Sequence, residues 1–258
     1  MSGVVLVLLA AGLTWLGSGW FVALVVAGAV LMFVEWVALT RSLDGDHRDW
    51  RTLIFLFALA TVITVVAFDA LWLGLALLAG LVAVAVAWPP ARRRRAGLWC
   101  AAGLVYVGVP ACLLVWLRFR PDDGLWVALW LLAVVVAVDT GGYVFGRLIG
   151  GPRLAPKVSP GKTWAGLAGA VLMAGLASLS FHLALPVPSP AGLLVAGAGL
   201  AIVAQAGDLL ESAVKRRFGV KDSGNLIPGH GGVLDRCDGL VAVVFVVAMT
   251  LAGQEAWS

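Results

Sequence analysis

Long uninterrupted apolar runs constrain what this chain can fold into more than any other feature. Residues 53–67, 71–88 and 125–138 contain no Asp, Glu, Lys or Arg, and apolar residues make up 62% of the chain. A helix needs roughly 20 apolar residues to cross a bilayer, where its backbone groups must bond to one another. With 12% charged residues, the chain has too little polar sequence to cover a water-exposed surface. We therefore predict an all-α polytopic integral membrane protein.

Apolar runs separated by charged and helix-breaking residues predict about nine transmembrane helices. Their approximate limits are 3–17, 20–39, 53–68, 70–88, 97–117, 124–146, 163–182, 191–210 and 238–254. The first run is short and is followed by Gly17-Ser18-Gly19, so a count of eight is the alternative. It resembles the core of a secretory signal, but it has no basic segment before it and no convincing cleavage site, and we expect a retained helix.

The positions of the basic residues predict the orientation. All but two of the 18 Lys and Arg residues follow spans two, four, six and eight, and the exceptions are Arg118 and Arg120. Because cytoplasmic loops of membrane proteins are enriched in Lys and Arg, we expect these four loops and the N-terminus in the cytoplasm. This predicts a multi-pass protein of the cell's inner (plasma) membrane with its polar site facing the cytoplasm.

The basic balance does not indicate a nucleic-acid partner. The net charge of +4 reflects the same loop bias, and the sequence lacks the aromatic-rich basic groove that single strands need. The three cysteines, Cys100, Cys112 and Cys237, have no ligand-like spacing, so neither a disulfide framework nor a zinc site is indicated.

The unusual polar residues of the chain follow spans six and eight. We therefore predict an amino-terminal transmembrane region at 1–120 and a carboxy-terminal catalytic region at 121–258.

The first polar segment contains Asp139-Thr-Gly-Gly-Tyr143 and Ser159-Pro-Gly-Lys162-Thr163. An unpaired carboxylate late in span six would be costly, so Asp139 either serves the site or is paired to Arg147 or hydrated. Gly-Lys-Thr resembles the end of a P-loop, but position 156 is Pro where that motif requires Gly. We instead expect Ser159 to cap span seven. Lys162 and Thr163 would then lie in its first turn, where backbone N–H groups attract phosphate; a purely topological Lys162 is the alternative.

The second polar segment places acidic and basic residues together at two helix ends. Four residues at spacing i, i+3, i+4 and i+7 are predicted to share one face at the end of span eight: Asp208, Glu211, Ser212 and Lys215. Asp235 and Asp238 lie three apart at the start of span nine. Carboxylates from two helix ends suit a hard cation such as Mg2+. The alternative is a set of surface salt bridges among Lys215, Asp222, Asp235 and Arg236.

The sequence from 212 to 238 resembles the signature of the phosphatidate cytidylyltransferases (CDP-diacylglycerol synthases). That signature reads Ser-x-x-Lys-Arg, Lys-Asp and Pro-x-His-Gly-Gly-x-x-Asp-Arg-x-Asp. Its residues occur here as Ser212, Lys215, Arg216, Lys221, Asp222, Pro228, His230, Gly231, Gly232, Asp235, Arg236 and Asp238. The segments 207–212, 139–143 and 159–163 are also similar, so the resemblance covers roughly 120–258. The sequence departs from the pattern at Gly161, where a second Lys is expected, and at Cys237, where an aliphatic residue is usual.

This resemblance implies transfer of CMP from CTP to phosphatidic acid, giving CDP-diacylglycerol and pyrophosphate for phospholipid biosynthesis. It also implies Mg2+ dependence, with K+ as a candidate second cation, and a homodimer. The implied catalytic residues are Asp208, Asp235 and Lys215, and the implied metal ligands are Asp208, Asp235 and Asp238. The implied substrate-binding residues are Ser159, Lys162, Thr163, Ser212, Arg216, Lys221, Asp222, His230 and Asp139.

Two other functions are compatible with parts of the sequence. Related membrane enzymes use CTP to phosphorylate a polyprenol, dolichol or phytol, but the long Lys-Asp to His-Gly-Gly signature favours the cytidylyltransferase. A transporter with an ion site at a broken helix is the alternative from a different class. Transporters place charge near the bilayer midplane, whereas here the charges are predicted at one membrane face.

Overall fold

Helices form most of the molecule. The computed structural model describes residues 2–40, 50–88, 94–185, 189–224, 226 and 231–255. The helices in these ranges are α1 (Ser2–Leu16), α2 (Ser18–Thr40), α3 (Trp50–Val66), α4 (Leu71–Ala87), α5 (Arg94–Gly103), α6 (Val109–Arg118), α7 (Gly124–Leu148), α8 (Trp164–Leu179), α9 (Pro190–Arg217) and α10 (Leu234–Glu255). A π-helical turn, Leu104–Gly108, joins α5 to α6, so every predicted span contains a helical stretch.

Length separates these helical stretches into two groups. Within the described ranges, five are long and apolar enough to cross a membrane: Gly19–Thr40, Arg94–Arg118, Gly124–Leu148, Pro190–Arg217 and Leu234–Gln254. The shorter apolar helices are Gly3–Leu16, Thr52–Val66, Leu71–Ala87 and Trp164–Leu179. A 16-residue helix such as α8 extends about 24 Å, less than the roughly 30 Å hydrocarbon core. The molecule is thus a helical membrane protein, and the count of nine spans stays a prediction.

A short β-hairpin interrupts the otherwise helical structure between α7 and α8. Strand β1 (Arg153–Ala155) pairs antiparallel with β2 (Ser159–Thr163). Our prediction that Ser159 caps a helix and that Lys162 and Thr163 occupy its first turn was wrong. Pro160 disfavours helical backbone at Ser159 and Gly161 is a poor helix former, so the chain stays extended. Thr163 is the cap, and its side chain accepts a hydrogen bond from the Gly166 N–H at 3.0 Å.

The chain divides into two compact units. The first contains Met1–Phe119 and Arg217–Cys237, and the second contains Arg120–Arg216 and Asp238–Ser258. Arg217–Cys237 therefore belongs to the unit built mainly from the amino-terminal helices, whereas the chain from Asp238 onwards belongs to the second unit. The functional division at residue 120 stays a prediction.

Aromatic residues of the first unit contact the beginning of its second chain segment, Arg217–Cys237. The Trp36 indole donates a hydrogen bond to the Trp99 carbonyl oxygen at 2.8 Å and stacks on Tyr106 with ring centroids 5.3 Å apart. Trp99 in turn packs edge-on against Phe218 at 4.9 Å, and the Arg217 guanidinium lies 5.6 Å from the centre of its ring. Helices α2 and α5 thereby fix the positions of Arg217 and Phe218 within the first unit.

Glycines let α7 and α8 approach closely in the second unit. A Cβ added to Gly141 would lie 2.5 Å from the carbonyl oxygen of Gly169 and 3.0 Å from Cβ of Met173. A Cβ added to Gly169 would overlap Phe145. Further along the same pair, Trp130 Nε1 donates to Ser178 Oγ at 2.9 Å. Small residues and interhelical hydrogen bonds are the usual means of helix association in lipid.

We expect Gly141→Ala to destabilise the protein by about 1–3 kcal/mol, because the added methyl has no space against the α8 backbone. Gly199→Ala is the matched control, since nothing lies within 4 Å of its added Cβ and alanine favours helix. Thermal unfolding in detergent should show a lower midpoint for Gly141→Ala and no loss for Gly199→Ala. Equal midpoints for the two variants would contradict the packing described for α7 and α8.

Candidate active site

The hairpin carries Lys162 to an acidic residue of α9. Lys162 Nζ lies 2.5 Å from Asp208 Oδ2, and the two side chains are 17% and 31% exposed. Arg216 Nε donates to the Val158 carbonyl oxygen at 3.3 Å, which joins the hairpin turn to the end of α9. The lysine of the Gly-Lys-Thr sequence therefore lies on strand β2, and its ammonium group contacts a carboxylate of α9.

The four polar residues predicted on one face of α9 do lie together. Ser212 Oγ donates to Asp208 Oδ1 at 3.3 Å, and Lys215 Nζ lies 3.3 Å from Glu211 Oε1. Glu211 and Lys215 are only 1% and 8% exposed. A charged pair at this depth is costly to leave with one partner missing. Glu211, which we did not assign to the site, is thus an integral part of this face.

Small residues bring α10 against this face. A Cβ added to Gly207 would lie 2.8 Å from the Asp238 carbonyl oxygen, and one added to Gly239 would lie 3.4 Å from Cβ of Ala204. At this close approach the Asp238 carboxyl lies near the carboxylates of Asp208 and Glu211. The second unit thus gathers three acidic side chains and two lysines, which we name the α9 cluster: Lys162, Asp208, Glu211, Lys215 and Asp238.

The α9 cluster has the donor atoms, but not the arrangement, of a metal site. Carboxylate oxygens are the ligands that Mg2+ prefers. However, Lys162 and Lys215 already engage Asp208 and Glu211. In the described part of the chain, no group of three or more His, Cys, Asp or Glu residues is placed to hold a metal ion. The predicted metal ligands Asp208, Asp235 and Asp238 therefore stay a prediction.

The rest of the signature lies in the first unit, where Asp235 bonds to the backbone. Both of its carboxylate oxygens accept from the Ser223 N–H, at 3.1 and 3.0 Å, and Oδ2 also accepts from the Gly232 N–H at 2.9 Å. Gly231 has φ +82°, a conformation that favours glycine. Asp235 thus closes the loop between α9 and α10, whatever its role towards a cation.

The other predicted substrate residues differ in their surroundings. Lys221, Asp222 and Asp139 are exposed, whereas Ser159 is half-buried in β2. Arg147 donates to the Tyr143 hydroxyl at 2.7 Å. His230 lies outside the described residues. The substrate-binding roles assigned to these residues stay predictions.

Comparison with known proteins gives the family. The sequence profile of the cytidylyltransferase family matches residues 1–253. A phosphatidate cytidylyltransferase of Brucella suis biovar 1 (strain 1330) is 37% identical over 242 residues, covering 94% of this chain and 88% of the relative. The chain belongs to the cytidylyltransferase family.

Shorter matches extend the same result. A phosphatidate cytidylyltransferase of Rickettsia bellii (strain RML369-C) is 38% identical over 151 residues, covering 56% of this chain and 65% of the relative. One from Bacillus subtilis (strain 168) is 37% identical over 149 residues, covering 57% of this chain and 55% of the relative. The family assignment confirms the resemblance based on 212–238. The match also includes the amino-terminal helices, which lie outside the 120–258 resemblance.

In this cytidylyltransferase-family chain, Glu35 is a site residue that we did not predict from the sequence. Glu35, 3% exposed in α2, accepts hydrogen bonds from the Ser223 hydroxyl and from the Val233 and Leu234 N–H groups. It is the only ionisable residue within α2. An ionisable residue inside an apolar span marks a functional position by default, and that signal was sufficient to find it.

Proposed function

We propose that this protein transfers CMP from CTP to phosphatidate and releases pyrophosphate, which makes it a phosphatidate cytidylyltransferase. The observation that carries the proposal is the match to a relative of that name over 94% of this chain. The α9 cluster adds chemical support, because its lysines and carboxylates suit a phosphorylated substrate. The decisive test is whether the α-phosphorus of CTP enters the lipid.

In this reaction a phosphate oxygen of phosphatidate attacks the α-phosphorus of CTP. A new P–O bond forms, the bond to the β-phosphate breaks, and pyrophosphate leaves with the electron pair. Phosphatidate is already largely ionised at neutral pH, so a strong general base is not required. The protein must position two anions and stabilise the charge that develops between them.

The two lysines of the α9 cluster suit this task. Asp208 and Glu211 hold the ammonium groups of Lys162 and Lys215 in place, so the cations are ordered before substrate arrives. Preorganised charge stabilises a transition state without reorganisation during the reaction. An arriving phosphate would compete with the carboxylates for these lysines, and the cluster would then bind it through charge-assisted hydrogen bonds.

A divalent cation stays part of the proposal. Mg2+ bound to nucleotide phosphates neutralises charge and orients the reacting group. Asp208 and Asp238 each contribute a carboxylate of the second unit with the appropriate chemistry, and Asp235 is assigned from the signature alone. A second cation such as K+ and the homodimer rest on the family resemblance.

A cytoplasmic active site follows from the distribution of basic residues and can be tested by labelling. In a variant without Cys100, Cys112 and Cys237, we expect Leu226→Cys to react in intact cells only with a membrane-permeant maleimide, since the side chain at 226 is 52% exposed. Asp122→Cys, in a predicted external loop, should react with an impermeant reagent. Impermeant labelling at 226 would contradict the orientation.

The CTP-dependent lipid kinase stays the competing enzyme, because it would use the same nucleotide and the same lysines. It differs in the phosphorus that is transferred, since a kinase moves the γ-phosphoryl group to a lipid hydroxyl. The family assignment favours cytidylyl transfer.

A further inference from the structure

We propose that Glu35 is a positioning residue that, from within α2, holds in place the described residues 217–224 and 231–235 of the signature, which we name the signature segment. The inference rests on the proposed function only in that the family resemblance implies substrate-binding residues, such as Lys221 and Asp222, in the segment that Glu35 positions. Glu35 acts through that segment and is not assigned any contact with substrate. All of the residues involved belong to the first unit.

The end of the segment is attached directly to Glu35. Its Oε1 accepts from the Val233 N–H at 3.0 Å, and its Oε2 accepts from the Leu234 N–H at 2.7 Å and from the Ser223 hydroxyl at 3.2 Å. One buried carboxylate thus joins both sides of the loop that separates residue 223 from α10. This contact spans 188 to 199 positions of sequence.

The Glu35 carboxylate accepts hydrogen bonds from the N-terminus of α10. The first N–H groups of a helix have no partner within the helix, and its positive dipole end favours an anion. Val233 and Leu234 supply two of these N–H groups at the start of α10. A carboxylate from α2 therefore caps α10, a role usually taken by a residue next to the helix in sequence.

Glycines make room for this cap. A Cβ added to Gly232 would lie 2.6 Å from Glu35 Oε2, and one added to Gly224 would lie 2.8 Å from Oε1. Two backbone stretches therefore pack directly on the carboxylate. The contact with Glu35 thus explains why position 232, the second glycine of the His-Gly-Gly sequence, has no side chain.

Glu35 and Asp235 act on the same loop. Ser223 donates its hydroxyl to Glu35 and its backbone N–H to Asp235. At the other end of the segment, Trp36 bonds to Trp99, which packs on Phe218. Neighbouring residues of α2 thus hold both ends of the segment, directly and through Trp99. Loss of Glu35 should release the end that carries Asp235.

The test uses Glu35→Gln in the full-length protein in detergent, without substrate. The variant keeps the shape but turns an N–H2 group towards backbone donors. Hydrogen exchange followed by mass spectrometry should show exchange at 219–236 accelerated about tenfold or more, as loss of a charge-assisted hydrogen bond implies. Thr40→Val is the matched control, because within the described residues the buried Thr40 hydroxyl donates to carbonyl oxygens of α2 itself, those of Trp36 and Val37. It should change exchange at 219–236 less than twofold.

Turnover provides the second measurement. With CTP and phosphatidate, Glu35→Gln should lower kcat/KM at least about tenfold while Thr40→Val stays within twofold. Ser223→Ala removes one hydrogen bond and no charge, so it should accelerate hydrogen exchange at 219–236 by a smaller factor than Glu35→Gln. This variant replaces Glu35→Gln in the test if Glu35→Gln does not fold. Hydrogen exchange at 219–236 within twofold of wild type in both Glu35→Gln and Ser223→Ala would overturn the proposal. Faster exchange in Glu35→Gln with unchanged kcat/KM would also overturn it. If the wild-type protein fails to turn over these substrates, the proposed function fails while the exchange measurement still tests Glu35.

Discussion

Asp208→Asn is expected to lower turnover of CTP and phosphatidate by at least about a hundredfold. Asp208 bonds both Lys162 and Ser212, so the change removes the charge that orders Lys162 and one proposed cation ligand. Loss of a single preorganised electrostatic group typically costs about 10²–10³ in kcat. The measurement is kcat at saturating substrate in a variant that keeps the wild-type thermal midpoint.

Asp122→Asn is the matched control, because that carboxylate is exposed and lies outside the α9 cluster. It should change kcat less than twofold. An Asp208→Asn variant that retains more than a tenth of wild-type kcat would remove Asp208 from the catalytic group. Asp235 and Asp238 would then be the remaining predicted metal ligands.

Lys215→Ala is expected to lower kcat/KM for CTP about ten- to a hundredfold, the loss of one charge-assisted hydrogen bond. The structure adds a second effect, because Lys215 is also the partner of the buried Glu211. Leaving a buried charge without its partner costs about 3–5 kcal/mol of stability. Activity alone therefore does not separate phosphate binding from pairing.

The double variant Lys215→Ala/Glu211→Gln separates the two roles. It removes both charges, so it should regain most of the thermal midpoint that Lys215→Ala loses. If Lys215 contacts phosphate, kcat/KM for CTP stays low in the double variant. Recovery of kcat/KM together with stability would limit Lys215 to pairing with Glu211. Lys157→Ala, at an exposed lysine of the hairpin turn, should change kcat/KM less than twofold, because exposed ion pairs contribute little.

The sequence predicted the helices well because lipid leaves the backbone few alternatives. The predicted span 124–146 corresponds to Gly124–Leu148. The limit of an apolar span and the end of a helix differ where charged residues continue the helix. Helix α9 continues to Arg217, beyond the predicted limit at 210, because residues such as Glu211 and Lys215 end an apolar run without ending a helix. An i, i+4 pair of this kind favours helix formation.

The hairpin and the Glu35 contacts were not predicted, for different physical reasons. Ser159-Pro-Gly-Lys162-Thr163 contains residues that fit either a helix start or a strand, and the antiparallel partner at 153–155 decides between them. The Glu35 contacts join residues nearly 200 positions apart, which no local pattern encodes. The shared face of α9 was predictable, since helical spacing alone determines it.

The central claim is cytidylyl transfer to phosphatidate, and the most direct measurement follows the phosphorus of CTP. Purified protein in phosphatidylcholine vesicles containing phosphatidate is given Mg2+ and CTP labelled at either the α- or the γ-phosphorus. Transfer predicts that the α-label appears in the lipid while the γ-label is released as pyrophosphate, and that both depend on phosphatidate. A lipid that acquires the γ-label from CTP, in vesicles containing a polyprenol or phytol, would contradict the claim and identify a kinase.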